Sequence, residues 1–179
     1  VVIQTTRFGA VQLQAEDIID FPEGILGFND LRKFVLLDDP NDEIFAWLQS
    51  CEVPQIAFPV LEPELFTSNY QVVLTKHDLE SIGNPEKTRA FSIITIPEDA
   101  TQMTANLKAP VVINIAKRQA RQIVLQDNNL AIREPIFTKL QTRVVSNPQS
   151  SIKSQASSWG VAIKLPNANG PKRDPEANV

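Results

Sequence analysis

Few residues of this chain could do covalent or acid–base chemistry, and they do not converge in the sequence. His77 is the single histidine and Cys51 the single cysteine, so a nucleophile–base machine would have to use His77 as its base. That histidine lies between Lys76 and Asp78 in KHDLESIG, a context that reads as the exposed start of a helix. One cysteine and one histidine also rule out an internal disulfide and leave too few soft ligands for a structural zinc site. Neighbouring carboxylates occur twice, at Glu98-Asp99 and in Asp38-Asp39-Pro40-Asn41-Asp42-Glu43. Such pairs can bind a cation or transfer protons. Here they punctuate connections between strands and lack the spacing of a calcium loop, so solvated turns are the expected reading. No GxxxxGK[ST] or GxGxxG phosphate loop is present. The GxxG of Phe21-Pro22-Glu23-Gly24-Ile25-Leu26-Gly27-Phe28 is flanked by Asp20, Glu23 and Asp30. It therefore reads as a tight turn whose phenylalanines plug a core, not as a nucleic-acid clamp. Neither a catalytic residue nor a metal or cofactor is expected.

The elements that would carry these residues are mostly strands. With 179 residues and 42% hydrophobic content, the chain can bury one core and still carry a tail. Arg7-Phe8-Gly9-Ala10 separates Val1–Ile3 from Val11–Gln14, a hairpin signature. Further strands are expected at 18–21, 34–37, 44–48, 56–61, 70–74, 90–96, 111–115 and 122–125, with Lys117-Arg118-Gln119-Ala120 turning the last hairpin. Helical turns are few. Thr75 caps a short one to Ile82, Pro63 opens another, and 29–33 could form a third. The predicted fold is mainly β, a single compact antiparallel β-barrel-like domain with a few short helical turns. It spans residues 1–140. Residues 141–179 are rich in Ser, Asn, Pro and Gln and read as a C-terminal tail, partly flexible or docked. Trp159, Val161, Ile163 and Leu165 alternate within it, so a docked strand or a partner-binding segment are both open.

Charge is uneven. Residues 1–100 carry 17 acidic and 6 basic side chains, a balance of −11, against +4 over 101–140 and +3 over 141–179. An acidic half repels phosphate backbones and favours basic partners, although acidity also serves solubility. The basic stretch from Lys108 to Arg121 lacks interleaved aromatics. It leaves, as the alternative reading, a small β-barrel that binds nucleic acid or oligosaccharide directly. No apolar run approaches the roughly 18 residues of a membrane span. VVIQTTRFGA also lacks the basic start and apolar middle of a secretory signal, which points to a cytoplasmic protein.

Eight segments occur in the order seen in the FliW family of flagellar assembly factors: IQTTRFG, FPEGILGF, FVLLDD, FAWLQS, IAFPVLEP, ITIPED, TANLKAPVVIN and QIVLQDNNLAIREPIF. The chain resembles that family from about Ile3 to Phe137. It departs at Leu26, where proline is frequent, and at Ala120, where glycine is common. The resemblance implies a non-enzymatic protein that binds the translational regulator CsrA and relieves its repression of flagellin messenger RNA. It also implies binding to flagellin in a partner switch, with no direct contact to nucleic acid or membrane. The stretch around TANLKAPVVIN combines an acidic turn, an adaptable apolar side chain and polar anchors. Glu98, Asp99, Met103, Thr104, Asn106 and Lys108 are accordingly the candidate partner-binding residues. The alternative for the same six is that they shape the turn before a buried strand, and Met103 could serve a core gap or a binding surface.

Overall fold

Val-, Ile- and Phe-rich runs cut by Pro, Gly and Asp build twelve short strands in the computed structural model, which describes residues 1–155 and 162–166. They are β1 (Val2–Thr5), β2 (Gly9–Gln12), β3 (Ile19–Asp20), β4 (Lys33–Asp38), β5 (Ala46–Ser50) and β6 (Ala57–Leu61). β7 (Thr88–Thr95), β8 (Thr104–Ala105), β9 (Val111–Asn114), β10 (Gln119–Gln122), β11 (Glu134–Pro135) and β12 (Ile163–Lys164) follow. Seven of them close on themselves in the order β7-β6-β5-β4-β3-β10-β9, and β9 pairs back to β7 through Phe91↔Val111 and Thr88↔Asn114. The expected barrel is therefore present. Its seam departs from the antiparallel expectation, because β10 pairs with β3 in parallel at Gln119↔Asp20. A hairpin sets its own antiparallel direction, whereas Asp20 and Gln119 are distant in the chain and meet only through closure of the barrel.

Alternation explains the layers. Phe34 and Leu36 of β4, Leu48 of β5, and Val111 and Ile113 of β9 fill the barrel with Ile19, Phe21, Val60 and Phe91. Phe21 and Phe34 meet edge-on at 5.0 Å between ring centres, a favoured aromatic geometry. Val35 and Leu37 point the other way and are covered by Ile3, Val11 and Leu13 of the β1–β2 hairpin. Val112 is likewise covered by Ile82, Ile123 and Leu125. Both faces of β4 and β9 are buried, which is why FVLL and VVI read as continuous apolar runs.

Four local expectations are corrected. Tyr70–Leu74 alternates as a strand should but pairs with none. Val72 and Leu74 pack on the outer cluster, Val73 is exposed, and the phenol of Tyr70 donates to the Leu107 carbonyl at 2.7 Å. The β10 ladder lies at Gln119–Gln122, not 122–125, since the turn falls at 115–118 with Arg118 at φ 51°. Ala120 is thus a buried strand residue opposite Ile113, not a hairpin tip. Ile123 and Leu125 keep their alternation by donating backbone N–H groups to Pro110 and Lys108. Residues 29–33 make a turn and the start of β4, with no helix. The turn over Pro63–Leu65 and the helix α1 (Lys76–Ser81), capped reciprocally by Thr75 and Asp78, agree with expectation. A second helix, α2 (Phe137–Ser146), was not foreseen and runs across position 140. Ile163 and Leu165 pack beside the hairpin cluster, whereas Trp159 and Val161 lie outside the described residues.

Candidate partner-binding surface

The six residues singled out in the sequence follow β7 and occupy two different settings. Glu98 and Asp99 are exposed in the loop that leaves β7. Asp99 accepts from the Thr101 amide at 3.0 Å and its hydroxyl at 2.6 Å, which caps a short 3-10 turn at Ala100–Gln102. The Thr101 hydroxyl, then its amide, hold the Asp99 carboxyl below its usual range. From Met103 to Ala109 the chain alternates, with Met103, Ala105, Leu107 and Ala109 buried and Thr104, Asn106 and Lys108 half-buried. Thr104 sits in β8, paired with Thr95 and Pro135. Asn106 donates its amide to Ile93 and accepts the Ala109 amide on Oδ1. The Lys108 ammonium donates to the Asp127 carbonyl at 2.8 Å. Polar members of the stretch thus fasten the chain that leads into β9, and the two carboxylates remain open to solvent.

Met103 turns away from these polar groups. It is 5% exposed and forms the floor of an apolar groove of about 420 Å³, with Ile44, Phe137, Leu140, Val144, Val145 and Ile152 around it. Helix α2 supplies most of the wall. Phe137, Leu140 and Val144 recur at helical spacing, a signal in the sequence that straddles the expected boundary at residue 140. Leu140 is buried, whereas Val144 and Val145 are 49% and 79% exposed.

A second apolar feature is the FPEGILGF loop. Gly24 and Gly27 adopt φ of 67° and 86°, and a Cβ on Gly24 would stand 2.5 Å from the Phe28 carbonyl oxygen. β10 pins the loop: Arg121 Nε meets Glu23 Oε2 at 2.8 Å, and the Leu26 amide donates to Gln122 Oε1 at 3.0 Å. Phe21 plugs the barrel as expected, but Leu26 is exposed and Phe28 only leans on Phe58.

The remaining candidates for chemistry are structural or solvated. His77 is exposed on α1. Cys51 is half-buried, and burial pushes its thiol up to about 11, so little thiolate exists at neutral pH. Asp42 accepts from the Ile44 and Phe45 amides and from the Trp47 indole at 2.8 Å. Lys117 donates to the Gly83 carbonyl. Among the described residues no three His, Cys, Asp or Glu side chains gather as metal ligands, and no helix is long and apolar enough to cross a membrane.

Fold and surface together define a small closed β-barrel, wrapped by outer layers and carrying apolar and acidic surface features. A family model described as FliW protein matches residues 2–136, close to the interval covered by the eight ordered segments. The chain belongs to the FliW family. It is 68% identical over 166 residues to the flagellar assembly factor FliW of Bdellovibrio bacteriovorus, covering 92% of this chain and 95% of that one. The flagellar assembly factor FliW of Ruminiclostridium cellulolyticum is 35% identical over 147 residues, covering 80% and 99%. A crystal structure of the flagellar assembly factor FliW superposes with a TM-score of 0.70 at 32% identity, covering 75% of this chain and 96% of that one.

Proposed function

We propose that this protein is a non-enzymatic, cytoplasmic flagellar assembly factor. It binds the translational regulator CsrA, relieving repression of flagellin messenger RNA, and exchanges that partner for flagellin. The observation that carries this reading is the 68% identity, along 92% of the chain, to a protein that bears the name flagellar assembly factor. Charge supports it: the −11 balance of residues 1–100 suits a partner whose RNA-binding face must be basic. Glu98 and Asp99, exposed in the loop after β7, are the acidic members of the set offered to such a partner. Thr104, Asn106 and Lys108 then act by holding that strip in register, and Met103 by shaping the groove floor. Calorimetric titration of CsrA into the protein tests the reading. Heat of binding that flagellin abolishes is expected, and no binding at tens of micromolar would overturn it.

The alternative, a barrel that binds nucleic acid or oligosaccharide directly, draws little support from its basic stretch. Lys108, Lys117 and Arg121 are already engaged by Asp127, Gly83 and Glu23. A gel shift with generic single-stranded RNA in the absence of CsrA would favour it.

A further inference from the structure

We propose that the outer edge of β4 at Leu37–Asp38 is a docking site for an extended protein segment with apolar residues at alternate positions, and that residues 163–165 occupy it in cis. The inference is independent of which partners the assembly role involves. β5 covers one edge of β4 from Phe34 to Leu37. On the opposite edge β3 is only two residues long and pairs with Lys33 and Phe34 alone. At Leu37 and Asp38 that edge is taken instead by β12, in parallel, with Ile163↔Leu37 and Lys164↔Asp38. The Leu165 amide donates to the Asp38 carbonyl at 2.9 Å. A strand end left open by a short neighbour exposes unpaired backbone groups, and these are what an added strand satisfies.

The seated segment defines what the site accepts. Ile163 and Leu165 pack against the cluster formed by Ile3, Val11, Leu13, Val35 and Leu37. Between them Lys164 is exposed, in register with Asp38, whose carboxylate is held by Lys153. Backbone pairing supplies affinity, the two flanking positions read apolar side chains, and the middle position faces solvent.

The cover is built to lift. Its root is fixed: Ile152 is 2% exposed, and the buried Lys153 ammonium meets Asp38 Oδ1 at 2.5 Å and the Asp39 carbonyl at 2.7 Å. The cover itself is a two-residue ladder with half-buried flanks, and six residues separate Ala162 from Gln155. A pairing this short is marginal alone and persists because its attachment keeps its local concentration high. It can open while the root and the barrel remain folded. A partner strand with the same pattern therefore competes with the chain's own residues.

The test uses the full chain and a synthetic VAIKLP peptide, the sequence of residues 161–166, titrated to millimolar concentration with amide NMR as readout. Ile163→Asp with Leu165→Asp empties the edge. If the cover occupies about 90% of wild-type molecules, the peptide should bind this variant about tenfold more tightly than wild type. The shifts should be centred on Leu37 and Asp38. Should the double variant fail to fold, Leu165→Pro decides, because it deletes the donor to Asp38 and adds no charge. Equal apparent affinity for wild type and a folded variant would overturn the proposal. So would undisturbed Leu37 and Asp38 amides, or equal binding of a VADKDP peptide.

Discussion

Single positions in this molecule are constrained by backbone geometry and by burial of polar groups more than by chemistry. Gly24 combines a left-handed φ of 67° with a carbonyl oxygen 2.5 Å from where its Cβ would lie. Gly24→Ala should therefore destabilise the fold by about 1–3 kcal/mol or more, read as a lowered urea midpoint. Tyr70 is the single tyrosine, and burial, with Glu64 adding to it, pushes its phenol up to about 12. A raised native value makes the protonated form the stabilised one. That stability is complete below the ordinary value of 10.0 and is lost as pH climbs toward 12. An ultraviolet titration should thus show tyrosinate forming near 12 or together with unfolding. Tyr70→Phe should cost about 1 kcal/mol at neutral pH, through the lost bond to Leu107. In urea melts run across pH 10–12, the variant should also decline less steeply.

At the scale of elements, α2 is the piece whose docking creates the groove. Leu140 buries its side chain among Phe45, Met103, Ile136 and Ile152, whereas Val145 points largely to solvent. Leu140→Ala should cost about 2–4 kcal/mol in thermal or urea melts. Val145→Ala should stay within about 0.5 kcal/mol. If Val145→Ala weakens partner binding while leaving the melt unchanged, the groove is a contact surface. The reciprocal cap at Thr75 and Asp78 shows the same division of labour on a smaller element. Local side chains start α1, and Ile82 at its end sinks beside Val112 and Ile123 to hold it on the barrel.

For the whole molecule, the testable property is the acidic excess that residues 1–100 bring to a closed barrel. The −11 balance of residues 1–100 should steer a basic partner, so under the proposed function the association rate with CsrA should fall steeply as salt rises from low to physiological strength. Stopped-flow measurement at several salt concentrations checks this, with the urea midpoint in the same buffers expected to change little. An association rate indifferent to salt would mean that the acidity serves solubility instead.

Residue order alone determined much of this protein. Alternating and continuous apolar runs marked most of the strands. Gly9 and Gly24 marked turns that need left-handed backbone, Thr75 marked a helix start, and eight ordered segments marked the family. These features are legible because they depend on neighbours within a few positions. Tertiary structure alone decided which strands pair. The parallel seam at Gln119↔Asp20, the shift of β10 to Gln119–Gln122 and the unpaired course of Tyr70–Leu74 all follow from closing a seven-strand ring. No local pattern encodes that closure, since alternation says that a strand has a buried face but not who its partner is. The same limit hid the Met103 groove, which exists only where Met103, Ile44, α2 and Ile152 converge.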